Sequence, residues 1–315
     1  MSRKLLSYTA ISLVLGNSAI ADVPNVTVDI APVHSLVARV MEGVGSPKLI
    51  IPAGASPHEY SLRPSEAKSL QDADMVFWMG EDLAPWLEKS IETLARDAEI
   101  VTLLEESGTK LLDFREGALF EEHDHDDHDD HDDDKDHDDH DEHAHGAHDP
   151  HAWLSIANAQ TWLNLVAGKL SAADPENAGV YFANAAAGRT EIDSLVAEVN
   201  GILAPVRGKN FVVFHDAYQY FETSFDFPAA GAISLGDATD PSPARIAEIQ
   251  GRVEDEDINC VLSEPQYNRG LVEAVLSGTD AKTGIIDPLG HNLEAGPNLY
   301  SDLIRNMAKS LAGCL

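Results

Sequence analysis

The chain is poor in basic residues, in cysteine and in long apolar runs. Of its 315 residues only 21 are Lys or Arg, against 54 that are Asp or Glu, and the formal net charge is −33. So acidic a protein repels nucleic acid and anionic lipid headgroups, which argues against both as partners and makes cations the ligands to consider. No apolar run reaches the roughly 20 residues that a membrane-spanning helix needs.

The N-terminus has the pattern of a secretory signal peptide. Arg3 and Lys4 precede an apolar stretch over residues 5–15, and Ala19-Ile20-Ala21 fits the small-x-small cleavage pattern. We expect cleavage after Ala21 and export of the mature chain. The alternative is a membrane anchor, which the shortness of the apolar stretch disfavours.

Only two cysteines are present, Cys260 and Cys314. In an exported protein an even pair indicates a disulfide, which here would tie the C-terminus to a central segment. The alternative is a metal–thiolate pair, which the long spacing and the oxidising compartment disfavour.

Most of the chain alternates short β-type runs with amphipathic helical runs. This order predicts an α/β fold with two lobes, each a mostly parallel four-stranded sheet flanked by helices. The predicted strands cover residues 26–30, 48–51, 75–79, 100–103, 211–214, 229–233, 260–263 and 284–286. The predicted helices, apart from one long helix, cover residues 35–41, 85–95, 157–170, 217–222, 243–252, 271–276 and 299–311.

The long helix is predicted between the two lobes. Asp174 is suited to its N-cap and Pro175 to its first position, and apolar residues, Phe182 among them, keep helical spacing up to Pro205. A helix of about thirty residues spans ~45 Å, which suits a rigid strut. The predicted divisions are a signal peptide at 1–21, an N-terminal lobe at 22–173, the linking helix at 174–205 and a C-terminal lobe at 206–315.

Residues 121–149 form a tract of 16 acidic residues, one lysine and nine of the 14 histidines. Such a composition cannot pack a core, and we expect disorder and several weak, exchangeable metal sites that lose metal in acid. Our hypothesis is that the tract collects metal ions and raises their local concentration near a tighter site on the folded lobes. The alternative is a solvating, charged loop. The tract histidines are His123, His125, His128, His131, His137, His140, His143, His145 and His148.

Three of the remaining histidines are candidate metal ligands, and two of them follow predicted strands. His58 is in a turn-rich loop after the second predicted strand, and His215 directly follows the strand over residues 211–214. His151 lies where the tract gives way to folded chain. Because ligands bind at the carboxyl ends of parallel strands, these residues predict a metal site between the lobes.

Three imidazoles suit zinc, which binds nitrogen ligands tetrahedrally, whereas calcium and magnesium prefer oxygen. Water, Asp287 or Glu59 could supply the fourth ligand. Glu264 also follows a predicted strand. We interpret His34 and His291 as ordinary polar residues rather than ligands.

Four segments carry a resemblance to a known family. They read Gly-Ala-Ser-Pro-His-Glu-Tyr-Ser-Leu-Arg-Pro-Ser at 54–65, Asp-Pro-His-Ala-Trp-Leu-Ser at 149–155, Phe-His-Asp-Ala-Tyr-Gln-Tyr-Phe-Glu at 214–222 and Ile-Asp-Pro-Leu-Gly at 286–290. In this order, and over essentially the whole mature chain, they resemble the periplasmic zinc-binding proteins of ABC uptake transporters, the family 9 solute-binding proteins of metal-binding cluster A-I. The resemblance implies two lobes, a rigid linking helix and a metal held in the cleft.

Residue by residue, His58, His151 and His215 match the three histidine ligands of that family. Asp287 matches a position where manganese-binding members use aspartate, but those members carry glutamate in place of His215, and an imidazole there favours zinc. The cysteine pair also matches a disulfide of the zinc-binding members. The resemblance implies a monomeric carrier that delivers Zn²⁺ to an inner-membrane permease with its cytoplasmic ATPase.

Other functions remain open at this stage. A manganese-binding member of the same family is one. A zinc hydrolase is another, with Glu59 as base, but the chain has no H-E-x-x-H motif and no nucleophile elbow, and we expect it not to be an enzyme. An adhesin or a metal-storage protein is a third, although no attachment element is recognisable.

Overall fold

The computed structural model of the chain describes residues 23–115, 148–234, 242–255, 258–265, 269–276, 278–279 and 281–315. The predicted signal peptide lies outside the described residues. So does the tract from 121 to 147, with all of its histidines except His148.

Two sheets of four parallel strands form the framework, as predicted. The strand orders are β2-β1-β3-β4 in the first and β6-β5-β7-β8 in the second, so both lobes repeat one topology. In each sheet the first connection leads to a strand on one side of the starting strand, and the next connection crosses to its other side. This reversal places a crevice at the carboxyl ends of β1 and β3 and of β5 and β7. The strands are β1 (Val26–Val28), β2 (Lys48–Leu49), β3 (Met75–Trp78), β4 (Glu99–Thr102), β5 (Asn210–His215), β6 (Gly231–Ser234), β7 (Ile258–Ser263) and β8 (Lys282–Ile285).

Every predicted helix is present, and one was not predicted. This helix, α2, is stabilised by hydrogen bonding at its N-terminus rather than by a broad apolar face. Pro64 opens it, and the Glu66 carboxylate accepts a hydrogen bond from the Arg63 N–H at 2.7 Å. The helices are α1 (Ala31–Val40), α2 (Pro64–Gln71), α3 (Pro85–Leu94), α4 (Ile156–Ala173), α5 (Ala178–Leu203), α6 (Gln219–Phe225), α7 (Pro243–Asp255), α8 (Arg269–Leu276) and α9 (Leu299–Cys314).

The linking helix α5 is shorter than predicted. Asp174 caps a 3₁₀ turn over Pro175–Asn177, α5 begins only at Ala178, and a second 3₁₀ turn over Ala204–Val206 ends it. Pro205 favours an end to α5 at this point because it cannot donate the backbone hydrogen bond that would continue the helix. Phe182, placed on the apolar stripe by its spacing, is 52% exposed, and its neighbour Tyr181 is buried instead.

The main hydrophobic core runs from the first sheet through α4, α5 and α9 into the second lobe. A smaller cluster, which includes Val212 and Ile249, fills the other face of the second sheet. The predicted disulfide joins Cys260 of β7 to Cys314 at the end of α9. Among the described residues no helix combines the length and the apolar character that crossing a membrane requires.

Candidate metal centre

The three predicted histidines come together at the crevice between the lobes. One potential ligand atom from each of His58, His151 and His215 lies within 4.8 Å of those of the other two. The ring centroids are 5.5 Å apart for His58 and His151, 6.1 Å for His58 and His215, and 5.0 Å for His151 and His215. In the described parts of the chain, no other trio of His, Cys, Asp or Glu residues meets this spacing.

His58 comes from the loop that follows β2 in the first lobe. Its N–H donates to Ser56 Oγ at 3.3 Å, and the indole N–H of Trp86 donates to the Pro57 carbonyl at 2.7 Å. Earlier in the loop, Gly54 has a φ of +94°, and a Cβ there would come within 2.9 Å of the His291 ring. The loop is therefore held from α3 on one side and from the second lobe on the other.

His151 and His215 are buried, with 1% and 3% of their surfaces exposed. His215 is the last residue of β5 and pairs with Ser234 of β6, which places it at the carboxyl edge of the second sheet. His151 precedes the short 3₁₀ helix Ala152–Leu154, where the chain turns into α4.

Each buried imidazole contacts a carboxylate through Nδ1. The distance is 2.7 Å from His151 Nδ1 to Asp149 Oδ1 and 3.0 Å from His215 Nδ1 to Glu264 Oε1. Because an ionised carboxylate only accepts hydrogen bonds, each ring donates from Nδ1, which makes Nε2 the atom able to ligate a metal. This is the carboxylate–histidine arrangement that orients zinc ligands.

Asp149 and Glu264 are parts of the candidate centre that the sequence did not identify as such. Asp149 was counted with the tract, although its place two residues before His151 is a local signal. Glu264 was noted only for following a strand. The Tyr218 hydroxyl, which donates to Glu264 Oε1 at 2.5 Å, was missed because nothing in its local sequence marks it.

The other candidate residues lie outside the close group. Asp287 caps a turn: its carboxylate accepts hydrogen bonds from the N–H groups of Leu289, Gly290 and His291 at 3.0, 2.9 and 2.6 Å. Glu59 is exposed.

His34 is buried in α1 and lies outside the group of three histidines. Its Nε2 lies 3.1 Å from the Pro47 carbonyl, and burial lowers the pKa of the ring. His148, from the tract, contacts Asp113 Oδ1 through Nδ1 at 2.9 Å.

Comparisons with known proteins agree with this geometry. The family model described as zinc-uptake complex component A, periplasmic (ZnuA), matches residues 26–314. The high-affinity zinc uptake system protein ZnuA of Brucella abortus (strain 2308) is 46% identical over 314 residues, which cover 95% of this chain and 94% of that protein. The protein of the same name from Paracoccus denitrificans (strain Pd 1222) is 45% identical over 323 residues, with 98% of each chain covered.

Solved structures share the fold. A crystal structure of ZnuA superposes with a TM-score of 0.75 at 20% identity, over 93% of this chain and 99% of the other. The manganese complex of the binding protein FpvC from Pseudomonas aeruginosa gives a TM-score of 0.76 at 20% identity, over 93% and 98% of the two chains. The sequence motifs and the fold therefore point to one set of proteins.

Proposed function

The chain belongs to the family of periplasmic zinc-uptake component A proteins, and we propose that it captures Zn²⁺ between its lobes and delivers it to an ABC permease. The observation that carries the proposal is the close approach of three imidazoles, two of them held by carboxylates. Neutral nitrogen donors at this spacing suit a borderline metal such as zinc.

The proposed ligands are His58, His151 and His215, with water in the fourth position. Asp287 is less suited to that position because three backbone N–H groups already occupy most of its acceptor sites and fix its carboxylate in a turn. Glu59, the other alternative, is exposed. Tetrahedral zinc with three protein ligands and a solvent molecule is a common arrangement.

Manganese is the second candidate cargo, because the FpvC structure of the same fold is a complex with Mn²⁺. His215 favours zinc, since manganese prefers carboxylate oxygen at such a position. A hydrolase would place a general base beside the metal-bound water, whereas Glu59, the candidate for that role, is exposed and lies outside the close group. We therefore propose a transport role without catalysis.

Further parts of the proposal follow from the family. The protein would work as a monomer in the periplasm and dock on a permease whose ATPase lies in the cytoplasm. Residues 22–173 and 206–315 would act as the two lobes, with 174–205 between them. The tract, whose proposed weak sites include all nine of its histidines, would raise the local zinc concentration.

The test is a zinc titration of the mature chain against a competing chelator. We expect one tight site, and each of His58→Ala, His151→Ala and His215→Ala should weaken its Kd at least a hundredfold because a ligand is lost. His34→Gln is the control, since it changes a buried histidine that lies outside the group of three and contacts the Pro47 carbonyl, and it should leave the Kd unchanged.

Two further arms address the tract and the cargo. A chain without residues 121–147 should bind fewer zinc equivalents while its tight site is unaltered. Manganese should compete poorly with zinc for that site. A wild-type chain with no tight site, or one in which His34→Gln is as damaging as the ligand variants, would contradict the proposal.

A further inference from the structure

A buried salt-bridge cluster lies next to the candidate metal centre. Arg115 Nε donates to Asp216 Oδ1 and Oδ2 at 3.1 and 3.0 Å, and its Nη2 donates to Oδ1 as well. Nη1 and Nη2 donate to the two oxygens of Glu222 at 2.7 and 3.0 Å. The side chains of Arg115, Asp216 and Glu222 are only 14%, 8% and 5% exposed, so the cluster is largely removed from water.

The positive guanidinium of Arg115 compensates for the burial of the two carboxylates. Burial raises the pKa of the Glu222 carboxyl, and hydrogen bonding to Arg115 opposes that rise. Burial by itself would lower the pKa of Arg115, but the hydrogen bonds that it donates to Asp216 and Glu222 outweigh burial and raise the pKa. A planar fork that donates to two carboxylates at once is an arrangement that lysine cannot reproduce.

Asp216 connects this cluster to a proposed zinc ligand. It directly follows His215, and the N–H of Ala217 donates to the His215 carbonyl at 3.0 Å, so the backbone turns tightly around Asp216. Holding the Asp216 carboxylate therefore holds the turn through which the chain leaves β5, and with it the backbone of His215.

Helix α6 makes a second connection to the same region. The Tyr220 hydroxyl accepts from the Leu112 N–H at 2.9 Å and donates to the Asp149 carbonyl at 2.8 Å. The carboxylate of Asp149 in turn holds His151. Thus Tyr220 and Glu222, on one helix, hold the segment over residues 112–115 and the segment that carries His151.

We propose that Arg115 is a positioning residue for the metal centre, which fixes the His215 turn by clamping Asp216 to Glu222. The inference rests on the proposed function, because it concerns the affinity of that site. Arg115 acts through its carboxylate partners, Asp216 and Glu222.

The test compares Arg115→Met with Arg39→Met in the full mature chain. Arg39 is a matched control: it also pairs with two carboxylates, Glu191 and Glu42, and its side chain is 13% exposed. It lies in the last turn of α1, at the end opposite the strand ends that face the cleft. We expect Arg115→Met to weaken the zinc Kd about tenfold, in the range for residues that orient metal ligands, and Arg39→Met to change it less than twofold.

A spectroscopic readout separates positioning from general stability. Co²⁺ in the zinc site absorbs visible light according to its ligand geometry, so Arg115→Met should shift the band whereas Arg39→Met should not. Because Arg115→Met leaves two buried carboxylates without a cation, a second variant adds Asp216→Asn and Glu222→Gln to remove their charge. We expect this variant to show the same loss of affinity, since the clamp is still missing.

The inference is overturned if Arg115→Met and the variant that adds Asp216→Asn and Glu222→Gln to it both bind zinc within twofold of wild type and keep its Co²⁺ spectrum. It is also overturned if Arg39→Met weakens binding as much as Arg115→Met. A wild-type chain that binds no zinc would instead contradict the proposed function, so the two failures can be told apart.

Discussion

Among the single residues of the candidate centre, the two buried imidazoles and His58 are held differently. His151 and His215 each contact a carboxylate through Nδ1, at 2.7 and 3.0 Å. His58 is only partly buried and lies in a loop fixed through its backbone. The carboxylates therefore orient the rings of the buried pair in the protein itself, as they would have to be oriented to bind a metal.

At this scale we predict that Glu264→Ala weakens the zinc Kd tenfold or more, because the His215 ring loses the acceptor that fixes its tautomer. Asp174→Ala is the matched control. Both variants remove a buried carboxylate bonded to a tyrosine, Tyr218 in one case and Tyr181 in the other, but Asp174 caps a turn far along the chain from any proposed ligand. It should lower the free energy of unfolding by about 1 kcal/mol and spare the Kd.

Chelator competition and urea unfolding measure the two quantities. Equal zinc affinities in wild type and Glu264→Ala would show that the carboxylate does not orient His215. A loss of affinity in Asp174→Ala would mean that any buried carboxylate matters equally.

Among the elements, the loop between β2 and α2 is the one whose conformation depends most on a single backbone position. Gly54 has a φ of +94°, and a Cβ there would come within 2.9 Å of the His291 ring. We predict that Gly54→Ala weakens the zinc Kd about fivefold or more, because the loop that carries His58 has to move away from His291. A loss of 1 to 2 kcal/mol in stability should accompany it, from the left-handed backbone.

Gly43→Ala separates backbone strain from the clash. Gly43 has a φ of +80°, but no heavy atom lies within 4 Å of a Cβ placed there. This variant should show the loss of stability without the loss of affinity. If both variants bind zinc like wild type, the contact with His291 does not position the loop.

The elements also show where sequence reasoning succeeds and where it stops. Each predicted strand is present, and the central strands β1, β3, β5 and β7 are marked by short apolar runs because they are buried. Helix α2 escaped prediction because a capping box holds it, and among its residues only Leu70 and Glu66 are buried. Phe182 was misplaced because helical spacing defines a stripe but not which edge of it faces the core.

For the candidate metal centre, the histidines could be predicted from the sequence but their carboxylate partners could not. The three histidines could be found because each follows a local signal, a strand end or a motif. The pairing of His215 with Glu264 could not, since 49 residues separate them and only the neighbouring positions of β5 and β7 in the sheet bring them together. The Arg115 cluster has a separation of 101 residues to Asp216 and is equally a product of the tertiary fold.

In the whole molecule, a crosslink within the second lobe and a ligand between the lobes both favour the native state. The disulfide closes a 54-residue separation between Cys260 and Cys314, and Cys260 lies in β7, the strand that leads to Glu264. The proposed zinc ion would connect His58 and His151 of the first half with His215 of the second. Both contributions are expected from general theory to have similar size.

We predict that replacing both Cys260 and Cys314 by alanine lowers the free energy of unfolding of the zinc-free protein by about 4 kcal/mol, the chain-entropy value for this loop. Free zinc at 1,000 times the Kd should add about 4.1 kcal/mol, because it binds the native state. The loaded cysteine-free protein should then unfold at nearly the same urea concentration as the zinc-free wild type. Urea unfolding with and without a chelator measures the stabilisation by zinc. A value much below about 4.1 kcal/mol would show that the proposed site does not distinguish the folded from the unfolded chain.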